Sequence, residues 1–232
     1  MKGVGLLPEL ACDRMMPLWV ARARGIPPRL GVVRWTWVPA TARASKPRRV
    51  WWVGYSEGEA SFPRHLLRHG LALAVARWFL GAGPAAWDAL AVREARQGVS
   101  RRTIRGRTWA RENRDRLKEA PRPDGEWWRM YEVIRGFWHY ERDPWAVEVD
   151  AGKLPLEVYR ERLESWVGLY SGVVIVTLSH LRAMAWLDQV LPRFLNGYPG
   201  WASRVQVYAL EEWWGEKARW REVWSGTSRR TT

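Results

Sequence analysis

The sequence has one cysteine, four histidines, five lysines and no long apolar run among its 232 residues. A single thiol, Cys12, forms no internal disulfide and builds no thiolate metal cage, so nothing in the chain demands an oxidising compartment. Histidines at 65, 69, 139 and 180 offer only His65 and His69 at a ligand-like spacing, fewer groups than a zinc site needs. Cys12 has no evident base nearby in sequence, and no Walker-type phosphate loop is present, so thiol chemistry and ATP hydrolysis are poorly supported. The longest apolar stretch, Val173 to Leu178, is far short of the roughly 20 residues of a membrane helix. Pro8-Glu9 interrupts the first apolar run before a signal peptide forms. These absences predict a cytoplasmic chain with no membrane partner. Its 47% apolar content excludes a wholly disordered basic protein.

What the chain has in excess is arginine, 33 residues in a net charge of +14. The excess is polarised: residues 1 to 123 carry +15 and residues 124 to 232 carry −1. A basic half joined to a neutral half suits a polyanion partner, and the planar guanidinium suits phosphates and guanine edges. Double-stranded DNA is the expected partner, although an arginine-rich, lysine-poor composition also follows from a GC-rich genome. The 19 tryptophans show no fixed interval and are mainly core candidates. Those interleaved with arginine, Trp35, Trp37 and Trp109, are candidate platforms for base stacking.

Along the chain, Asp13 predicts the cap of a helix through Met15, Leu18 and Val20, stopped at Gly25 and decorated by Arg14, Arg22 and Arg24. Leu30–Val38 and Arg49–Tyr55 predict a hairpin whose basic tip includes Arg48 and Arg49. Helix then hairpin is the order of a winged helix. Helical spacing predicts a helix over 62–80, and a short element comes next at 87–92. Residues 99–122 hold nine basic residues and three acids, a basic loop or short helix whose Arg101, Arg102, Arg105 and Arg107 are phosphate candidates or a solvated face. Strands are predicted at 125–134, 145–150, 173–177 and 205–210, with helices at 156–170 and 180–195. That alternation predicts an α/β fold with a mostly parallel sheet and helices packed on it.

Acidic residues suggest chemistry. Asp124 opens one predicted strand, while Glu148 and Asp150 lie two apart on another and so share a face. Neighbouring strands would bring Asp124 and Glu148 to one edge, where Asp124, Glu148 and Asp150 could bind a divalent cation for phosphodiester cleavage. Lys153, the nearby lysine, would neutralise charge on the phosphorane. Alternatively, Asp124 is a turn residue and the other two are solvent-facing acids.

The order Arg122-Pro123-Asp124-Gly125, then WAVEVDAGKLPLEVYRERLESWVGLYSG, then VVIVTLSHLRAMAWL resembles the replication-relaxation family of plasmid and integrative-element proteins. HGLALAVAR at 69–77, followed by Trp87 and Arg93-Glu94, extends the similarity over roughly residues 50–195. The resemblance implies an N-terminal winged helix followed by a PD-(D/E)xK nuclease-like domain, and a role in replication or relaxation of plasmid-like DNA. By position it assigns Asp124 and Glu148 to the acidic pair. Asp150 stands where the E-x-K motif has lysine, and the winged helix is short.

A second resemblance competes. WVGYSEGEASF at 52–62 is similar to the LAGLIDADG homing-endonuclease signature, which implies a helix carrying Glu59 as the metal-binding acid. Glu57 and Glu59 read alternatively as turn residues after the hairpin.

The expected architecture is thus a winged-helix-like basic segment over 1–60 and a PD-(D/E)xK-like mixed sheet flanked by helices over 61–232. It is compatible with three functions. The chain is a DNA-binding protein of plasmid, phage or mobile-element replication whose nuclease-like domain is inactive, or a Mg2+- or Mn2+-dependent DNA endonuclease. It is otherwise an accessory scaffold that holds a replication or relaxase protein through exposed tryptophans.

Overall fold

The structure is a computed structural model that describes residues 7–27, 31–38, 46–56, 59, 61–91, 101–134, 137–152 and 154–226. The first helix, α1 (Leu7–Asp13), ends because Arg14 takes a left-handed backbone, φ 64°. For an arginine that conformation costs about 1–3 kcal/mol unless its surroundings hold it. The chain turns there into strand β1 (Met15–Pro17), and Pro17 leads into α2 (Leu18–Ala23). A single helix from Asp13 to Gly25 is therefore not formed. Pro17 lacks a backbone N–H, which an edge strand tolerates, and β1 lies at the edge of a three-stranded antiparallel sheet ordered β1-β3-β2.

The predicted hairpin is present as β2 (Val32–Val38) and β3 (Arg48–Gly54), paired from Val32 opposite Gly54 to Val38 opposite Arg48. Alternation sorts its faces: Val50 and Trp52 are buried, Arg49 and Trp51 are exposed. Most of its expected basic tip lies outside the described residues.

Helix α3 (Arg64–Phe79) is apolar almost all round, and nearly every residue from Leu67 to Arg77 is buried. A helix without a polar face must be covered on all sides. It lies between the small sheet and a six-stranded sheet, and Gly81, φ +64°, turns the chain after it.

The large sheet is ordered β11-β10-β9-β8-β5-β4. Its centre is parallel: β8 (Trp145–Asp150), β9 (Gly172–Thr177) and β10 (Val205–Glu211) are joined through helices. Antiparallel strands flank them, with β4 (Trp87–Ala89) and β5 (Gly125–Trp127) on one side and β11 (Arg219–Ser225) on the other. The protein is thus α/β with a mixed sheet flanked by helices. Val147, Val149, Val174 and Val176 face α3 and the N-terminal elements, and one core runs from Leu10 and Met16 to Trp213 across the expected boundary at residue 60. Ala146, Val173, Ile175 and Val207 pack on the opposite layer. That layer contains α6 (Leu156–Trp166), α7 (His180–Ala185) and α8 (Leu191–Gly197).

Three elements differ from expectation. The predicted strand 125–134 ends after Trp127: Trp128, fully buried, still bonds Ala86 O through its N–H at 2.9 Å, one step further along the β4–β5 register, and the chain then leaves the sheet. The remainder of that segment enters a separate hairpin, β6 (Met130–Ile134) with β7 (Phe137–Tyr140). The helix at 180–195 is interrupted by a π-turn at Trp186–Val190. Pro192 cannot donate back to residue 188, so the ladder rearranges there. Finally, the basic segment forms α4 (Ile104–Glu112) and α5 (Arg114–Glu119).

Candidate functional site

Sheet topology brings Asp124 and Glu148 together. Strand β5 pairs antiparallel to β8, with Gly125 opposite Val147, so Asp124 falls beside the next residues of β8. There its Oδ2 accepts a hydrogen bond from Val149 N at 2.8 Å, extending the ladder by one side chain where β5 has not yet begun. Asp124 Oδ1 lies 3.7 Å from His69 Nδ1 of α3. Glu148 points toward the α6 layer, 3% exposed. Its Oε1 pairs with Arg162 Nη1 at 2.9 Å, while its Oε2 is buried and accepts no hydrogen bond. Burial raises the Glu148 proton affinity well above that of an ordinary glutamate, and the nearby Asp124 charge raises it further; Arg162 and the close approach of the Asp124 backbone N–H oppose both. The two carboxylates feel each other's charge, while Asp124 turns toward His69 of α3 and Glu148 toward Arg162 of α6.

Asp150 is different. Its Oδ1 accepts from Tyr159 Oη at 3.0 Å and Gly152 N at 2.7 Å; its Oδ2 accepts from Arg182 Nε at 2.6 Å and Trp186 Nε1 at 2.7 Å. A carboxylate has about four acceptor sites, and all four are filled. Asp150 is thus a buried hub tying β8 to α6 and α7, which corrects its assignment as a metal ligand. The π-turn begins at Trp186, whose indole N–H it aims at this carboxylate. Among the described residues no three His, Cys, Asp or Glu side chains form a metal-binding group. Lys153 lies outside the described residues.

The donor set that remains fits a cation that keeps most of its water. Mg2+ is commonly held through one or two carboxylates, and Asp124 and Glu148, whose Oε2 accepts no hydrogen bond, are the two that remain.

The candidate DNA-binding arginines divide into two groups. Arg14 and Arg101 are buried, which corrects their placement on an exposed basic surface. Arg14 donates Nε and Nη2 to Glu59 Oε1 at 3.0 and 2.6 Å, and its ring contact is Tyr55. Arg101 forms a two-pronged bond to Glu126 at 2.8 and 2.5 Å, and Tyr170 Oη donates to the same carboxylate at 3.1 Å. Arg24 is half-buried over Trp78. Arg102 is half-buried too; its backbone N–H bonds Asp88, and its guanidinium donates to Pro84 O. Exposed are Arg22, Arg48, Arg49, Arg105 and Arg107. Trp109, expected as a stacking platform, is 3% exposed and bonds Asp143 at 3.0 Å.

The homing-endonuclease alternative loses its geometry. Residues 52–54 are strand, not helix, and Glu59 is fully buried, one oxygen on Arg14 and the other on Ser56 N and Oγ at 2.6 and 2.8 Å. Glu59 holds Arg14 in its left-handed turn and has no free oxygen for a metal.

Two residues at the acidic pair were not singled out from the sequence. Arg162 lies on the apolar stripe of α6, between Tyr159 and Leu163, so a charge at that position was a readable signal for a buried partner. His69 carried no comparable signal, since its distance to Asp124 depends on how α3 docks. No protein family matches the chain, and neither a curated protein nor a solved structure matches it.

Proposed function

We propose that the chain is a DNA-binding protein of plasmid, phage or mobile-element replication or relaxation. On this reading it acts in the cytoplasm, and a replication or relaxase protein is its second partner. The observation that carries the proposal is the polarity of charge, +15 over residues 1–123 against −1 over the remainder. Five exposed arginines, Arg22, Arg48, Arg49, Arg105 and Arg107, are available to phosphates. The order α2, β2, β3 supports a winged-helix-like role for the N-terminal segment, and the acidic pair on a mixed sheet supports kinship with PD-(D/E)xK domains.

A second reading, metal-dependent cleavage, is favoured by one specific observation, the unbonded buried Glu148 Oε2 next to Asp124. Glu148 Oε2 and an Asp124 oxygen would hold Mg2+ or Mn2+. The cation would supply Lewis-acid polarisation of a phosphodiester oxygen. Arg162 would orient Glu148 and offer positive charge to the phosphate, a role expected also of Lys153.

Electrophoresis of supercoiled plasmid with protein, with Mg2+ or Mn2+ and with or without chelator, tests both readings. A retarded band for wild type, Asp124→Ala and Glu148→Ala is the expected result, and no retardation at low salt overturns DNA binding. Chelator-sensitive nicking that either substitution abolishes supports cleavage; its absence assigns the domain a binding role alone.

A further inference from the structure

The exposed face of the β2–β3 hairpin carries a feature that duplex binding does not use. Residues 14–56 contain nine basic residues and no acid. Within this acid-free stretch, the outward positions of the hairpin are aromatic: Trp35, Trp37 and Trp51 are 47%, 47% and 44% exposed. Trp35 pairs directly with Trp51 across the strands, and Trp37 with Arg49. The Arg49 guanidinium lies over both Trp35 and Trp51, 4.6 and 4.9 Å from the ring centroids. Lys46 is exposed just before β3; Arg34 and Arg48 are exposed too but alternate to the opposite face, from which Arg48 reaches the Trp214 ring. Toward α2 the same face opens into a cleft of about 450 Å³ lined by Trp19, Trp51, Trp214, Arg22 and Arg49 above Leu18 and Val33. That volume is ample for a small planar ligand. Glu216 stands at the cleft opposite Arg22, 3.9 Å away.

Three large apolar rings left in water need a reason. Core packing does not account for them, because the hairpin is anchored through Val50 and Trp52 on its inner face. A protein partner would fill such rings with apolar side chains, but the charge around them selects a polyanion. A polyanion that also offers flat π-faces is a nucleic acid whose bases are unpaired, since in a duplex those faces are covered. We infer that the outer face of the β2–β3 hairpin binds single-stranded DNA, with bases stacked on Trp35 and Trp51 and phosphates held by Arg49 and by Arg22 across the cleft. Choosing DNA over RNA rests on the proposed function; the stacking itself does not.

Fluorescence anisotropy with a labelled oligothymidylate of about 20 nucleotides, enough for a site of about 4–16, tests this against a duplex and an oligouridylate of equal length. Wild type is expected to bind the single-stranded DNA at least as tightly as the duplex. Trp35→Leu or Trp51→Leu should weaken that binding by about 5- to 100-fold, the loss of one base stack. Trp35→Phe, which keeps a π-face, should retain most of it, and duplex affinity should be unchanged in all three. Equal losses in the Leu and Phe variants, no loss in either, or a clear preference for the oligouridylate overturns the inference. Photocrosslinking of wild type to an iododeoxyuridine-substituted strand gives a variant-free check: adducts should map to peptides containing Trp35 or Trp51, and adducts elsewhere contradict the assignment. If single-strand binding fails while duplex binding persists, only this inference falls; the reverse removes the proposed duplex function instead.

Discussion

Replacing Asp150 separates a structural acid from a metal ligand. The carboxylate is fully buried and receives donors from Tyr159, Gly152, Arg182 and Trp186 at 2.6–3.0 Å. In Asp150→Ala the Tyr159 hydroxyl and Trp186 indole lose their acceptor inside the protein, and each such orphan costs about 1–3 kcal/mol. Arg182 keeps Leu154 O at 2.7 Å and is 23% exposed, so its share is softened by water. The losses are not additive within one network, which places the total near 3–5 kcal/mol, the usual range for breaking a buried pair. That is a large part of a typical 5–15 kcal/mol stability. Asp150→Asn should cost nearly as much, because its amide turns a donor toward either the Arg182 and Trp186 donors or the Gly152 and Tyr159 donors. Urea unfolding followed by tryptophan fluorescence measures both, and added Mg2+ should leave the difference from wild type unchanged. A cost below about 0.5 kcal/mol for Asp150→Asn, a typical surface value, would refute the hub.

Glu148→Gln removes a buried charge with an unbonded oxygen but also the ion pair with Arg162, so the two effects offset at pH 7–8 and the change lies in the pH dependence. The sign follows from linkage: an acid whose proton affinity is raised by folding loses stability as pH climbs from its unfolded value, about 4.3, toward its folded value. Urea midpoints across that range should fall with pH in wild type relative to Glu148→Gln; parallel curves would contradict the burial argument. For Arg101 and Glu126, a double-mutant cycle should return a coupling of about 2–4 kcal/mol, as their two-pronged buried bond requires, and a value near zero would return Arg101 to the surface. Burial pushes the Cys12 thiol up to about 12, so alkylation at pH 8 should proceed only at the rate of unfolding. Rapid labelling of the native protein would place Cys12 outside the core.

The sequence shows β8, α6 and β9 clearly because each obeys a single period: six consecutive buried residues in each parallel strand and a 3–4 spacing in the helix. Elements under competing demands are harder to read. Arg14 breaks the first helix through a backbone conformation held by partners far along the chain, Glu59 on its side chain and Tyr55 N on its carbonyl. Trp128 is the last residue on the β4–β5 register before the chain leaves for the β6–β7 hairpin, a break that the run GEWWRMYEVI does not mark. Strand β11 alternates charged and apolar residues as an exposed sheet edge does, so it resembles a polar tail. At the acidic pair, the chain order places Asp124 next to Glu148 as soon as β5 and β8 are neighbours. The sequence could not separate Glu148 from Asp150, which share a face and composition. Their fates differ through Arg162, Arg182 and Trp186, residues delivered by helices that dock later in the chain. Arg101 and Arg105 stand in one basic run for the same reason: Glu126 buries the first, while the second stays exposed over Tyr140.

The salt dependence of duplex-DNA affinity tests the central claim most directly, because each phosphate neutralised releases a counterion. Wild type should lose affinity steeply with salt, and Arg105→Ala with Arg107→Ala should flatten the slope by about 2, one unit per lost phosphate contact. Arg101→Ala should destabilise the protein and leave the slope of the folded fraction unchanged, since its charge is spent on Glu126. An affinity indifferent to salt, or a slope unaltered by removing the exposed arginines, would contradict the assignment of this surface to DNA.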